Sequence, residues 1–247
     1  MYSETDAVVI PLALAVMLVI ALSLALLLRR REGWVRAIPT AIVALLVVLL
    51  EVEKQRQNLL GQFYEGGYSR YGMPLHYCSL FSLFFPLAEL GGRRLRRVFQ
   101  PVAVATSLTV SVAILVAPQG ILGGTTATYL DDFHSFHGVT YHMLVILYLL
   151  LTVALGRYRP SRGDRALVAA AIAGYVALAI PHAYGLGVNY CNYLFSVIPP
   201  VEELRLAVGQ VPYAIGQSIV LIGGTTFASW LYATGFRLVT KKGKREK

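Results

Sequence analysis

Residues 7–28 read AVVIPLALAVMLVIALSLALLL, twenty-two consecutive residues without a charge, followed at once by Arg29, Arg30 and Arg31. At about 1.5 Å per residue such a helix reaches about 33 Å, enough to cross a hydrocarbon core about 30 Å thick. A cleaved signal peptide needs a basic stretch and then a shorter apolar run, whereas Ser3, Glu4, Thr5 and Asp6 come first here. The segment reads as an uncleaved spanning helix with its N-terminus outside.

Further apolar runs follow at Trp34–Arg56, Pro74–Leu90, Val98–Ala117, Gly138–Gly156, Ala166–Tyr184 and Val211–Phe236, each bounded by Gly, Pro or charge. The expected fold is therefore all-α: a polytopic membrane protein of seven transmembrane helices forming a single domain over 1–247. Composition agrees, since 56% of the 247 residues are hydrophobic and only 14% are charged, against about 25% in soluble domains. The net charge of +9 would suggest nucleic acid in a soluble chain. Here the basic residues sit in short clusters between apolar runs, so they orient the chain in a membrane and no nucleic-acid partner is expected.

Of the 22 Lys and Arg residues, four lie in 29–36, four in 91–97, four in 157–165 and six from Arg237 to Lys247. Only Lys54, Arg56, Arg70 and Arg205 fall in the intervening segments. By the positive-inside rule this alternation places the N-terminus outside and the C-terminus in the cytoplasm, with the cell membrane as the expected location.

That topology gathers all five histidines at the extracytoplasmic end. His76 and Cys78 open the third span, His134 and His137 fall in the loop after the fourth, His142 lies about one turn into the fifth span, and His182 ends the sixth. Polar and ionisable groups at one membrane depth are costly unless they line a cavity, so the expected site faces outward. The third span sets Cys78, Ser82, Pro86 and Glu89 on one stripe. His76 is two positions from Cys78 and points elsewhere on a regular helix, so a base for the thiol has to come from another helix. His142 is the best placed, although a bridging hydrogen bond between helices would also account for it. For Cys78 a nucleophile, a small buried hydrophobe and a disulfide with Cys191 are all open.

His134 and His137 follow Asp131 and Asp132 in a loop rich in Gly and Thr, which reads as solvated rather than metal-binding. No metal or cofactor is expected. Asn189 and Tyr190, in Asn-Tyr-Cys-Asn-Tyr after the sixth span, could orient a carbonyl or headgroup. A seven-span zinc hydrolase is disfavoured because no HxxxH occurs, and a retinal receptor because 211–236 contains no lysine.

Met73-Pro74-Leu75-His76-Tyr77-Cys78, His142 early in the fifth span and Gly187-Val188-Asn189-Tyr190 after the sixth together resemble the bacterial YwaF-type integral membrane proteins related to eukaryotic transmembrane protein 164. The resemblance covers nearly the whole chain. It implies a membrane acyltransferase acting on phospholipids, with a cysteine and a histidine as the catalytic pair, carried here onto Cys78 and His142. The family's acidic residue in the second helix would be Glu51 or Glu53. This chain departs from the pattern in Cys191-Asn192 and in having His134 and His137 before His142. The expected function is transfer of a fatty acyl group from a phospholipid to a lysophospholipid, with His76, Glu51, Ser82, Asn189 and Tyr190 in supporting or substrate-binding places. The alternative is a proton-coupled transporter or channel using the same polar cluster.

Overall fold

The computed structural model describes residues 4–63, 68–116, 118–122 and 126–245. Ala117, the expected end of the fourth span, and Lys247 of the basic tail lie outside the described residues. Among those residues the regular structure is helical: α1 (Glu4–Leu28), α2 (Ile38–Leu59), α3 (Phe81–Glu89), α4 (Gly92–Val116), α5 (Pro118–Leu122), α6 (Phe133–Ala154), α7 (Asp164–Leu186), α8 (Pro199–Val208) and α9 (Gln210–Arg245). Six of them, α1, α2, α4, α6, α7 and α9, are long and apolar enough to cross a membrane.

The third expected span, 74–90, is the exception. It yields a 3-10 turn at Cys78–Leu80 running into α3, and these twelve residues from Cys78 to Glu89 cover only about 18 Å. The preceding residues 73–77 are irregular, because Met73-Pro74 starts in extended backbone and Pro74 cannot donate within a helix. Two further expectations are corrected. The helix expected from Gly138 begins at Phe133, because Asp132 in extended backbone accepts from Ser135 N at 2.6 Å and caps it. His134 and His137 are thus helical, and His142 lies nine residues, about 14 Å, beyond the helix start rather than one turn. The loop after α7 also contains α8, which opens on Pro199 and Pro200 and is closed by a Glu202–Arg205 pair at 2.5 Å.

Helix α4 is the hub and packs against α3, α6, α7 and α9. It can do so because Ala103, Ala105, Thr106 and Ser107 are buried and small, letting backbones approach closely. Helix α1 packs mainly on α6 and exposes Val8, Leu12, Val19 and Leu26, the side chains a lipid-facing helix presents. Its buried Asp6 accepts from both Thr126 N at 2.9 Å and Thr126 Oγ1 at 2.6 Å.

Hydrogen bonds assign the loops to two ends. Arg157 donates to the Gly33 carbonyl at 3.2 Å and to Glu89 Oε2 at 3.0 Å, and Tyr232 donates to the Tyr158 carbonyl at 3.3 Å. The three basic loops and the far part of α9 therefore share one end. At the opposite end Asn58 pairs with the Ser69 backbone, Tyr190 donates to the Arg70 carbonyl at 2.5 Å, and Gln210 donates to the Tyr193 carbonyl at 2.6 Å.

Candidate active site

At the end opposite the basic loops lies a cavity of about 360 Å³ lined by Lys54, His76, Cys78, His137, His142, Asn189 and Cys191, among others. An almost wholly apolar recess of about 290 Å³ between α1 and α6 carries no titratable group besides Tyr129.

Cys78 stands where irregular backbone turns into α3, and neighbouring elements hold that backbone. Residues 69 to 78 form only short 3-10 turns and irregular backbone, so at membrane depth side chains from other elements add partners to their carbonyls. Asn58 serves Ser69 at 2.9 Å, Tyr190 serves Arg70, Gln55 serves Gly72 at 2.7 Å, Tyr175 serves Leu75 at 2.8 Å and Tyr141 serves Cys78 at 3.1 Å. Gly72 sits so close to Asn58 that an added Cβ would fall 2.6 Å from Asn58 Nδ2, so only glycine fits. His76 is part of this frame: its Nε2 bonds to the Tyr71 carbonyl at 3.1 Å while its ring packs edge-on against Tyr71 and Tyr190. Tyr190 itself is fully buried and outside the cavity lining.

His142 is buried on α6 and its Nδ1 lies 2.7 Å from the Gly138 carbonyl. A carbonyl only accepts, so Nδ1 carries the proton and Nε2 carries the lone pair. Nε2 has no hydrogen-bond partner within the protein. His137, also buried, lines the same cavity and stacks on Tyr141, while Phe63 packs over His134 and His137.

Helix α2 settles which glutamate faces inward. Glu51 is buried and its Oε1 takes Lys54 Nζ at 2.6 Å and Gln55 Nε2 at 2.8 Å; Oε2 is buried without a partner. Glu53 points outward to Arg56 at 2.6 Å. Lys54, which the sequence reading passed over, is the one lysine or arginine lining the cavity among the described residues. The i, i+3 spacing from Glu51 was the available signal for it.

Other expected residues take structural places. Ser82 Oγ donates to the Ser79 carbonyl at 2.7 Å and lies outside the cavity lining; the fully buried face of α3 is Phe81, Phe85 and Ala88. Asn189 lines the cavity, but its Oδ1 accepts from Leu194 N and Phe195 N while its Nδ2 donates to the Phe195 carbonyl at 2.9 Å. Its amide folds the loop that follows α7, which Gly187 enters in left-handed backbone at φ 66°.

Cys78 and Cys191 are both free thiols. Tyr175 Oη gives its single proton to the Leu75 carbonyl, so the contact of 2.6 Å between Oη and Cys191 Sγ has the thiol as donor. Burial pushes the Cys191 thiol up to about 12. Cys191 and Asn192 hold positive φ of 52° and 60°, and Gln217 and Tyr213 on α9 pin their carbonyls at 2.9 and 2.7 Å. Among the described residues no three His, Cys, Asp or Glu side chains converge as a metal site.

A family model described as the TMEM164 family matches residues 1–230 of the chain. No curated protein and no solved structure matches it.

Proposed function

The chain belongs to the TMEM164 family of membrane proteins, and from that premise we propose that it is a phospholipid acyltransferase working through Cys78 and His142. The single observation that carries this is the state of His142. Its Nδ1–H is fixed on Gly138, and its unpartnered Nε2 belongs to a buried ring lining the same cavity as the half-buried thiol of Cys78. A buried nitrogen left without a protein partner is costly and open to a proton; His137 Nε2 in the same cavity is also unpartnered, but it is His142 whose Nδ1–H is fixed on a backbone carbonyl.

In the first half-reaction Nε2 takes the thiol proton and Cys78 Sγ attacks the ester carbonyl of a phospholipid. The tetrahedral intermediate collapses with cleavage of the ester C–O bond. The proton on Nε2 passes to the departing alkoxide, giving a lysophospholipid and an acyl thioester on Cys78. In the second, Nε2 takes the proton of an acceptor lysophospholipid hydroxyl, that oxygen attacks the thioester, and the thiolate leaves and regains the proton. Lys54, steadied by Glu51, supplies positive charge toward the oxyanion of both intermediates. Water in place of the acceptor would give a free fatty acid.

The site faces the extracytoplasmic side of the cell membrane in this proposal, with the N-terminus outside and the C-terminus in the cytoplasm. The residues from Pro74 to Leu90 make the third of seven passes, irregular in their outer part and helical from Cys78. The 18 basic residues gathered in four segments support that orientation.

Intact-mass measurement after incubation with a phospholipid tests the reaction. The expected result is a fatty-acyl adduct that hydroxylamine removes, present in the wild type and absent in Cys78→Ala. An adduct that survives in Cys78→Ala would overturn the assignment.

A further inference from the structure

The basic end holds a second built pocket, of about 430 Å³, that the proposed acyl transfer does not use. Arg93, Arg96, Arg97 and Arg159 line it together with Gln100. None of the four arginines forms a salt bridge among the described residues, although each is a permanent cation. The acid lining the pocket, Asp164, is already saturated by Tyr158 Oη, Ser161 N and Ser161 Oγ at 2.5 to 2.7 Å. Arg96 is oriented in advance, because its Nε and Nη2 donate to the Ala88 and Glu89 carbonyls. The first turn of α4, from Gly92, adds backbone N–H groups with no partner in their own helix.

Gln100 turns this concentration of charge into a site. It is only 6% exposed and lines the pocket, and its Nε2 is buried with no hydrogen-bond partner. A buried amide donor left open beside four cations is placed to meet an acceptor from outside the chain. Leu95 and Val98, interleaved with the arginines on α4, are exposed apolar side chains against which hydrocarbon can lie.

We propose that this pocket binds the phosphate of an anionic glycerophospholipid, with the arginines meeting its charge, Gln100 donating to a phosphoryl oxygen, and the acyl chains running along Leu95 and Val98. The site is independent of the Cys78 cavity and stands whether or not the chain transfers acyl groups. Basic pockets between helices on the cytoplasmic side of membranes are suited to such headgroups.

Native mass spectrometry of the delipidated full chain, titrated with phosphatidylglycerol or phosphatidylcholine of equal chain length, tests this. Phosphatidylglycerol should bind at least about tenfold more tightly. Each basic group near an anionic headgroup contributes about fivefold, so the Arg93→Gln, Arg97→Gln, Arg159→Gln triple variant should weaken phosphatidylglycerol by about 100-fold. Gln100→Leu should weaken it several-fold, and Gln100→Glu, which keeps the shape of the side chain, should weaken it further. Lys241→Gln, Lys242→Gln, Lys244→Gln in the tail should leave the preference intact. Equal loss in the tail variant, or full binding in both Gln100 variants, would overturn the site as diffuse attraction to a basic surface. Displacement of the lipid by an equal concentration of inorganic phosphate would overturn the lipid assignment in favour of a soluble anion.

Discussion

Two buried ion pairs, one at each end of the bundle, are built from the same chemistry and completed differently. At the basic end Glu89 is saturated: Oε1 accepts from Tyr148 at 2.9 Å and Oε2 from Arg157 at 3.0 Å, and Arg157 also reaches the Gly33 carbonyl. Phe85 stacks on Tyr148 with ring centroids 3.8 Å apart and seals the pair in apolar packing. At the other end Glu51 uses one oxygen for Lys54 and Gln55 and leaves the other bare, while Lys54 borders a cavity that His142, with its Nε2 unpartnered, also lines. A saturated pair ties three segments together, and an unsaturated one keeps charge available. The fully partnered pair and the open one thus sit at opposite ends.

The comparison breaks if changes at the cavity act through folding. Cys78→Ala should abolish transfer, by about 10,000-fold or more, and His142→Ala should lower it about 100- to 10,000-fold, both with unfolding temperatures near wild type. Acyl-transfer assays and thermal unfolding of the same samples would decide it; a large drop in unfolding temperature with modest loss of turnover would sink the assignment. At the saturated pair the reverse holds. Arg157→Met strands the Glu89 carboxylate and should cost about 3–5 kcal/mol in denaturant unfolding, with turnover per folded molecule unchanged. A cost below about 1 kcal/mol would show that Glu89 does not need its partner.

Lys54→Gln sharpens the contrast, because it keeps a hydrogen bond to Glu51 and removes only the charge. Turnover should fall by about 100-fold; stability should fall by about 1–3 kcal/mol, less than at Glu89, because the new amide still donates to the Glu51 carboxylate. Unchanged turnover would remove Lys54 from the oxyanion. The smallest effect belongs to the second cysteine. With its thiol pushed up to about 12, Cys191 stays protonated throughout the physiological range. At pH 8 its thiolate fraction is about one in ten thousand, so a small neutral alkylating reagent should modify it about a thousandfold more slowly than an ordinary thiol. The rate should rise about tenfold per pH unit up to pH 12, and Cys191→Ala should change transfer by less than about threefold. Rapid labelling of Cys191 at pH 8 would mean that burial does not keep its thiol neutral.

The sequence made the long spans legible because twenty or more apolar residues in a row have few other uses. The short third element was not, since Pro74 to Leu90 is long and predominantly apolar and only the irregular backbone from Met73 decides where helix begins. The start of α6 was misplaced for the opposite reason. Asp131, Asp132, His134 and His137 look like solvated loop, yet Asp132 is a cap and His137 is buried beneath Phe63. In the cavity, Cys78, His142, His76 and Asn189 were legible from their shared depth. Lys54 was not, because a lysine among Glu51, Glu53 and Arg56 reads as a helix leaving the membrane. That Asn189 spends its amide on its own loop depends on contacts three to six residues away, which residue type alone does not announce.

The frame of carbonyl partners around residues 69–78 bears on how a mutational scan of this protein would be interpreted. Gln55, Asn58, Tyr141, Tyr175 and Tyr190 lie on α2, α6, α7 and the loop beyond, up to 120 positions from the backbone they hold. If the proposed chemistry holds, losing any one should shift the backbone that carries the thiol more than it disturbs the spanning helices, so such variants should insert normally and lose turnover. They would score like members of the active centre. Conservative variants separate the classes: Tyr175→Phe and Tyr190→Phe, which remove only the donated proton, should cost turnover without altering which lipids are accepted. For the same reason, transplanting Cys78 and His142 onto another bundle without these five donors would carry over the reactive groups and lose their alignment.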